Sequence, residues 1–145
     1  MSNGNKYKAL AWIEYAENDL NVASHLNEIY RPLPENTICW LCQQSVEKSL
    51  KAILAYNDAK IPKTHDIGML QNTTVQYEPG ITIDEKIADK MTVFAVESRY
   101  PDNVIDFAKE DAELGLKYAK IVLGQVKQAL NITENEPPPE NQTTE

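Results

Sequence analysis

The side chains with chemical potential stand in three short stretches: "CQQSVEKSLK" (Cys42 to Lys51), "PKTHD" (Pro62 to Asp66) and "VESRYPDNV" (Val96 to Val104). The chain has twelve lysines but only two arginines, and Arg99 sits where a helical run meets a Tyr-Pro break. An arginine there can be half of a catalytic pair, an anion clamp or a structural anchor. Its planar guanidinium, with Tyr100 beside it for stacking and Lys48 or Lys51 brought near by the bundle, suits a phosphate-bearing ligand. It equally suits a salt bridge to Glu47 or Asp19. His65 has Lys63 and Asp66 close in sequence. A histidine can serve as general acid or base near neutral pH, or it can simply hydrogen-bond a neighbouring helix while Thr64 and Asp66 cap a short one. His25, among polar neighbours, reads as an inert surface position. Asp19, Gln44, Glu47, Lys48, Lys51, His65 and Arg99 are therefore candidates to converge in one polar cleft between helices, as a ligand or partner site or as a buried structural network.

Other chemistries find no support. Cys39 and Cys42 form a C-x-x-C, but it falls inside a helical pattern with no second cysteine pair and no histidine at finger spacing, so both read as small apolar core residues. No metal-ligand spacing occurs, no P-loop or G-x-G-x-x-G exists, and no serine sits in a nucleophile elbow. No cofactor is expected.

The elements that must position these residues follow from hydrophobic period. Leu10, Ile13, Ala16, Leu20, Ala23 and Asn27 recur at helical steps, with Trp12 flanking the stripe, and predict a helix over about Asn5 to Ile29. "YRPLP" breaks it, and a second helix runs from about Glu35 to Asn57. Its apolar face is Ile38/Cys39, Cys42, Val46, Leu50, Ile53 and Leu54; Glu47 and Lys51, four apart, read as a surface pair. Thr64 is placed to cap a short helix beginning near His65. "TIDE", Thr82 to Glu85, fits a capping box that opens a fourth helix, with Ile87, Met91, Phe94, Ala95 and Ser98 as its inner stripe and Arg99 at its end. Asp102 can cap a last helix, whose stripe Ile105, Ala108, Ala112, Gly115, Ala119, Val122, Val126 and Ala129 is made mostly of small residues. That stripe faces its own bundle or forms a symmetric dimer seam. With no strand pattern, the expected fold is all-α: an antiparallel up-and-down bundle of three long helices plus two shorter ones over residues 5–130. Residues 131–145, acidic and proline-rich, are expected to be a disordered tail.

The formal net charge is −8; without the four acids of that tail, 18 acidic residues stand against 14 basic ones. Nucleic-acid coats are usually basic, so general nucleic-acid coating is disfavoured. No apolar run spans a membrane and "MSNGNKYKAL" lacks a signal-peptide core, which points to the cytoplasm.

Four motifs occur in order across the helical region: "WIEYAENDLNVA" (Trp12 to Ala23), "CQQSVEKSLKAIL" (Cys42 to Leu54), "PKTHDIGML" (Pro62 to Leu70) and "SRYPD" (Ser98 to Asp102). Together they resemble the small prokaryotic HEPN domain proteins, over about residues 7 to 128. The resemblance implies a helical bundle that often dimerises, a nucleotide-binding role, and a minimal nucleotidyltransferase as partner, in toxin–antitoxin-type modules. Many HEPN branches are metal-independent ribonucleases with an R-x₄₋₆-H motif. Here no histidine follows Arg99 or lies within reach of Arg31. The expected function is a non-catalytic HEPN homodimer binding a nucleotide or a nucleotidyltransferase. The alternatives are a ribonuclease toxin using Arg99 and His65, and a structural dimerisation module.

Overall fold

A computed structural model of the protein describes residues 3–97 and 106–132. Five helices account for most of them: α1 (Asn3–Ile29), α2 (Glu35–Tyr56), α3 (Ile67–Thr74), α4 (Glu85–Glu97) and α5 (Lys109–Ala129). No strand occurs among the described residues, and the expected three long and two shorter helices are present.

α1 and α2 form an antiparallel hairpin: Lys8 meets Asp58, Trp12 faces Lys51 and Tyr15 faces Lys48, so numbers rise on one helix as they fall on the other. The turn between them is closed by Arg31, which donates to the carbonyls of Asn27 and Tyr30 at the end of α1, where carbonyls lack helical partners. α4 runs back before α5: Lys90 pairs with Asp111 at 2.8 Å, and Phe94 packs edge-on against Phe107 with ring centroids 4.9 Å apart. α2 and α5 therefore run in the same sense, with Asn36 accepting from the amide of Phe107 and Cys42 facing Gly115.

α2 is the central element and touches all four others. Fourteen of its 22 residues are buried. Cys39 and Cys42 lie wholly inside, and burial pushes the Cys42 thiol up to about 12 and the Cys39 thiol higher, so both stay protonated at neutral pH. The small-residue stripe of α5 faces its own bundle: Ala112, Gly115, Ala119, Val122 and Val126 are buried, and a Cβ on Gly115 would lie 3.0 Å from that of Cys42. The stripe thus brings α5 close to α2 and is not available as a dimer seam.

The caps differ from expectation. Of Thr64 and Asp66, both expected to cap α3, Asp66 does so, accepting from the amide of Met69, while Thr64 accepts from the amide of Asp66. Asp84, not Thr82, opens α4 by accepting from Lys86 and Ile87. α5 begins at Lys109, with the Asp111 side chain reaching back to the amide of Ala108; Ala108 is exposed, and the expected cap Asp102 and first stripe residue Ile105 lie outside the described residues. Asn131 and Ile132, expected in the tail, instead close α5. Asn131 takes a positive φ of 55°, its amide donates to Gln128, and that of Ile132 donates to Lys127, the Schellman pattern that satisfies last-turn carbonyls. Of the expected tail, residues 133–145 are outside the described residues, as are Ser98, Arg99 and Tyr100.

Candidate functional site

The polar residues of α2 that recur every fourth position, Gln43, Glu47 and Lys51, form one row along the helix, and all three are buried. A row at that spacing shares a face. The stretch 59–66 covers it. Leaving α2, the chain turns back, with the amide of Ala59 donating to Leu54, and reaches Gln43 and Glu47 at His65.

Glu47 is the hub. Its Oε2 accepts from Lys51 Nζ at 2.9 Å, and its Oε1 lies 2.8 Å from His65 Nδ1 and accepts from Gln43 Nε2 at 3.2 Å. Gln43 Nε2 also donates to the backbone carbonyl of His65 at 2.9 Å, and Gln44 Nε2 donates to Gln43 Oε1 at 2.7 Å. Burial by itself would raise the Glu47 pKa. The hydrogen bonds from Lys51 and His65, the Lys51 charge and the Gln43 amide outweigh it and hold the carboxyl below its ordinary value of 4.5. Lys51 further rests over the Trp12 ring, 5.8 Å from its centroid. The pair expected on the surface is therefore an interior ion pair, with side chains 8% and 5% exposed. α2 is enclosed by four helices and has no broad solvent face on which to place it.

A second pair lies beside the first on α1 and α2: Lys48 Nζ donates to Asp19 Oδ2 at 2.6 Å and sits 5.8 Å from the Tyr15 centroid. Asp19, Gln44, Glu47, Lys48, Lys51 and His65 are thus brought together along α2, divided between two ion pairs. Glu47 and Asp19, the expected acceptors for Arg99, are already engaged by lysines. Sequence reasoning missed Gln43 as a site residue; the signal was available, since it lies four before Glu47 in the same helix.

The cluster is closed on its inner side and most open at His65, whose side chain is 51% exposed. With Nδ1 held by Glu47, the ring's orientation is set and its Nε2 edge is left for another partner. Next to it, a groove of about 650 Å³ between α3 and α4 is lined by Asp66, Met69, Ile83, Glu85 and Asp89 among others, and among the described residues by no lysine or arginine. His25 is exposed on α1, as expected. Among the described residues no group of histidine, cysteine and carboxylate side chains could hold a metal ion, and no helix is long and apolar enough to cross a membrane.

The model of the HEPN domain family matches residues 9–129. A crystal structure of TT1696 from Thermus thermophilus superposes with a TM-score of 0.67 at 21% identity, covering 83% of this chain and 97% of that one, a likeness of fold. No curated protein matches.

Proposed function

The chain belongs to the HEPN domain family, and from that premise we propose that it is a non-catalytic module whose surface around His65 engages a protein partner of the nucleotidyltransferase kind. The observation that carries this reading is that both lysines of the α2 cluster are already neutralised, Lys51 by Glu47 and Lys48 by Asp19. A phosphate clamp needs uncommitted cations, and the α2 row itself offers none; the exposed Lys60 and Lys63 belong to the stretch that carries His65. The adjoining groove, with Asp66, Glu85 and Asp89, would repel a polyphosphate. A protein surface with donors for those carboxylates and an acceptor or donor for the His65 ring fits better. A homodimer is the expected state in this reading.

The test is a thermal-shift screen of wild type and His65→Ala against nucleotides with and without magnesium, followed by binding of a minimal nucleotidyltransferase to both. The expected result is no nucleotide shift, and partner binding that weakens in His65→Ala. A bound nucleotide at a hundred times its dissociation constant would add about 2.7 kcal/mol; such a shift, lost in His65→Ala, replaces the partner by the nucleotide.

One observation favours a second reading. A buried carboxylate 2.8 Å from an imidazole nitrogen is how a catalytic histidine is oriented. With Arg99 supplying charge to a scissile phosphate, His65 would act as general acid or base on RNA. RNA left intact by purified protein without metal removes this reading.

A further inference from the structure

α1 has apolar residues on two faces, and the bundle buries only one; on the other, Tyr15 meets Lys48 at its edge and stays exposed. The inner stripe, Ala9, Ile13, Ala16, Leu20 and Ala23, is buried. Two positions on from it, about 200° around the axis at 3.6 residues per turn, runs a second row: Ala11, Tyr15, Asn18, Val22, His25 and Ile29. These steps alternate four and three, a heptad register held for nearly three repeats. Every residue of the row is exposed, with Tyr15, Val22 and Ile29 at 61%, 43% and 62%.

The charges that flank the row choose its occupant. From Ala9 to Ile29 the helix carries four carboxylates, Glu14, Glu17, Asp19 and Glu28, and no lysine or arginine. Glu17 and Asp19 are engaged by Lys127 and Lys48. Glu14 and Glu28, one position before Tyr15 and Ile29, are exposed and have no ion-pair partner among the described residues. A second copy laid on this row would set carboxylates against carboxylates, which is destabilising in paired helices. The complementary surface is apolar with basic edges.

We propose that the outer face of α1 docks an amphipathic helix of a partner protein, one with apolar residues in heptad register and lysine or arginine beside them. Tyr15, Val22 and Ile29 are the apolar anchors, Asn18 and His25 set register within the seam, and Glu14 and Glu28 meet the partner's basic flanks. The surface is distinct from the His65 end of the α2 cluster, so this docking stands or falls separately from the function proposed above.

The probe is a synthetic 21-residue helix with leucine and isoleucine in heptad register and lysine at the flanking positions, beside a scrambled peptide of the same composition. Binding to the full chain is read by fluorescence anisotropy, and sedimentation of the free chain is measured in parallel. The expected result is binding of the register peptide at least about tenfold tighter than the scrambled one, weakened roughly tenfold or more by Val22→Glu. Glu14→Gln with Glu28→Gln should flatten its salt dependence while the apolar contact remains. Equal binding of the two peptides, or binding unchanged in Val22→Glu, overturns the proposal. So does a dimer of the free chain that Val22→Glu dissociates, since a second copy would then own the face. Val22 is exposed, so its substitution leaves the core intact; His65→Ala is the control that should leave peptide binding unchanged.

Discussion

Replacing Glu47 by glutamine tests the physical heart of the α2 cluster. The shape is kept and one charge is removed, leaving Lys51, 8% exposed, as a buried cation without its counter-ion. Breaking a buried pair from one side costs about 3–5 kcal/mol. The amide oxygen can still accept one hydrogen bond and Lys51 keeps the Trp12 ring, so the expected loss lies at the low end, about 3 kcal/mol. Against a typical total of about 5–15 kcal/mol this is a large fraction, and for a domain of this size it lowers Tm by roughly 10 °C. Lys51→Met added to Glu47→Gln removes the orphaned cation as well. The double variant should therefore be more stable than Glu47→Gln alone, because a buried pair can often be exchanged for uncharged groups of similar volume at little cost.

The assay is urea unfolding followed by circular dichroism, at several pH values. Glu47 has its folded pKa held below 4.5, so the stability it contributes is fully present above the unfolded carboxyl value and is lost as pH falls through the lower folded value. The gap between wild type and Glu47→Gln should shrink as pH falls below 4.5. A Glu47→Gln protein within about 1 kcal/mol of wild type at pH 7, or a double variant no more stable than the single, would refute the interior pair.

Two glycines of α5 should respond in opposite directions. Gly115→Val forces side-chain atoms into Cys42 and should cost about 2 kcal/mol or more, whereas Gly124→Ala meets nothing within 4 Å and should gain about 0.5–1 kcal/mol from helix propensity; urea unfolding of both checks it. Cys39 and Cys42, protonated and buried, should resist a thiol reagent in the native state and react at the rate of unfolding in urea; fast labelling of folded protein would contradict their placement.

The helices were legible because α1, α4 and α5 each meet the bundle from one side, so an apolar stripe at the helical period marks the buried face. The ends of the elements were less so. Thr64, Asp66, Thr82 and Asp84 are all competent caps, and which one acts is decided by where the backbone turns, a matter of packing rather than residue type. One face of α2 misleads for a different reason. A helix packed against four others buries almost its whole circumference, and a polar row inside it looks, in sequence, like a solvated one.

That buried face changes what the α2 motif means. Gln43, Glu47 and Lys51 are residue types that suggest a ligand site, yet their polar atoms are spent on one another, on His65 and on Gln44. Such a row fixes the stretch 59–66 against α2 and sets the angle of one imidazole, and in doing so it removes its own charges from the surface. A motif in a buried row therefore identifies the scaffold, and the groups left over identify the contact. On the described surface those include the free edge of His65, the carboxylates of the α3–α4 groove, and the outer row of α1 between Glu14 and Glu28. Two of the three are acidic, and it is on this that the proposed function rests when it prefers a basic protein surface to a phosphate as the partner.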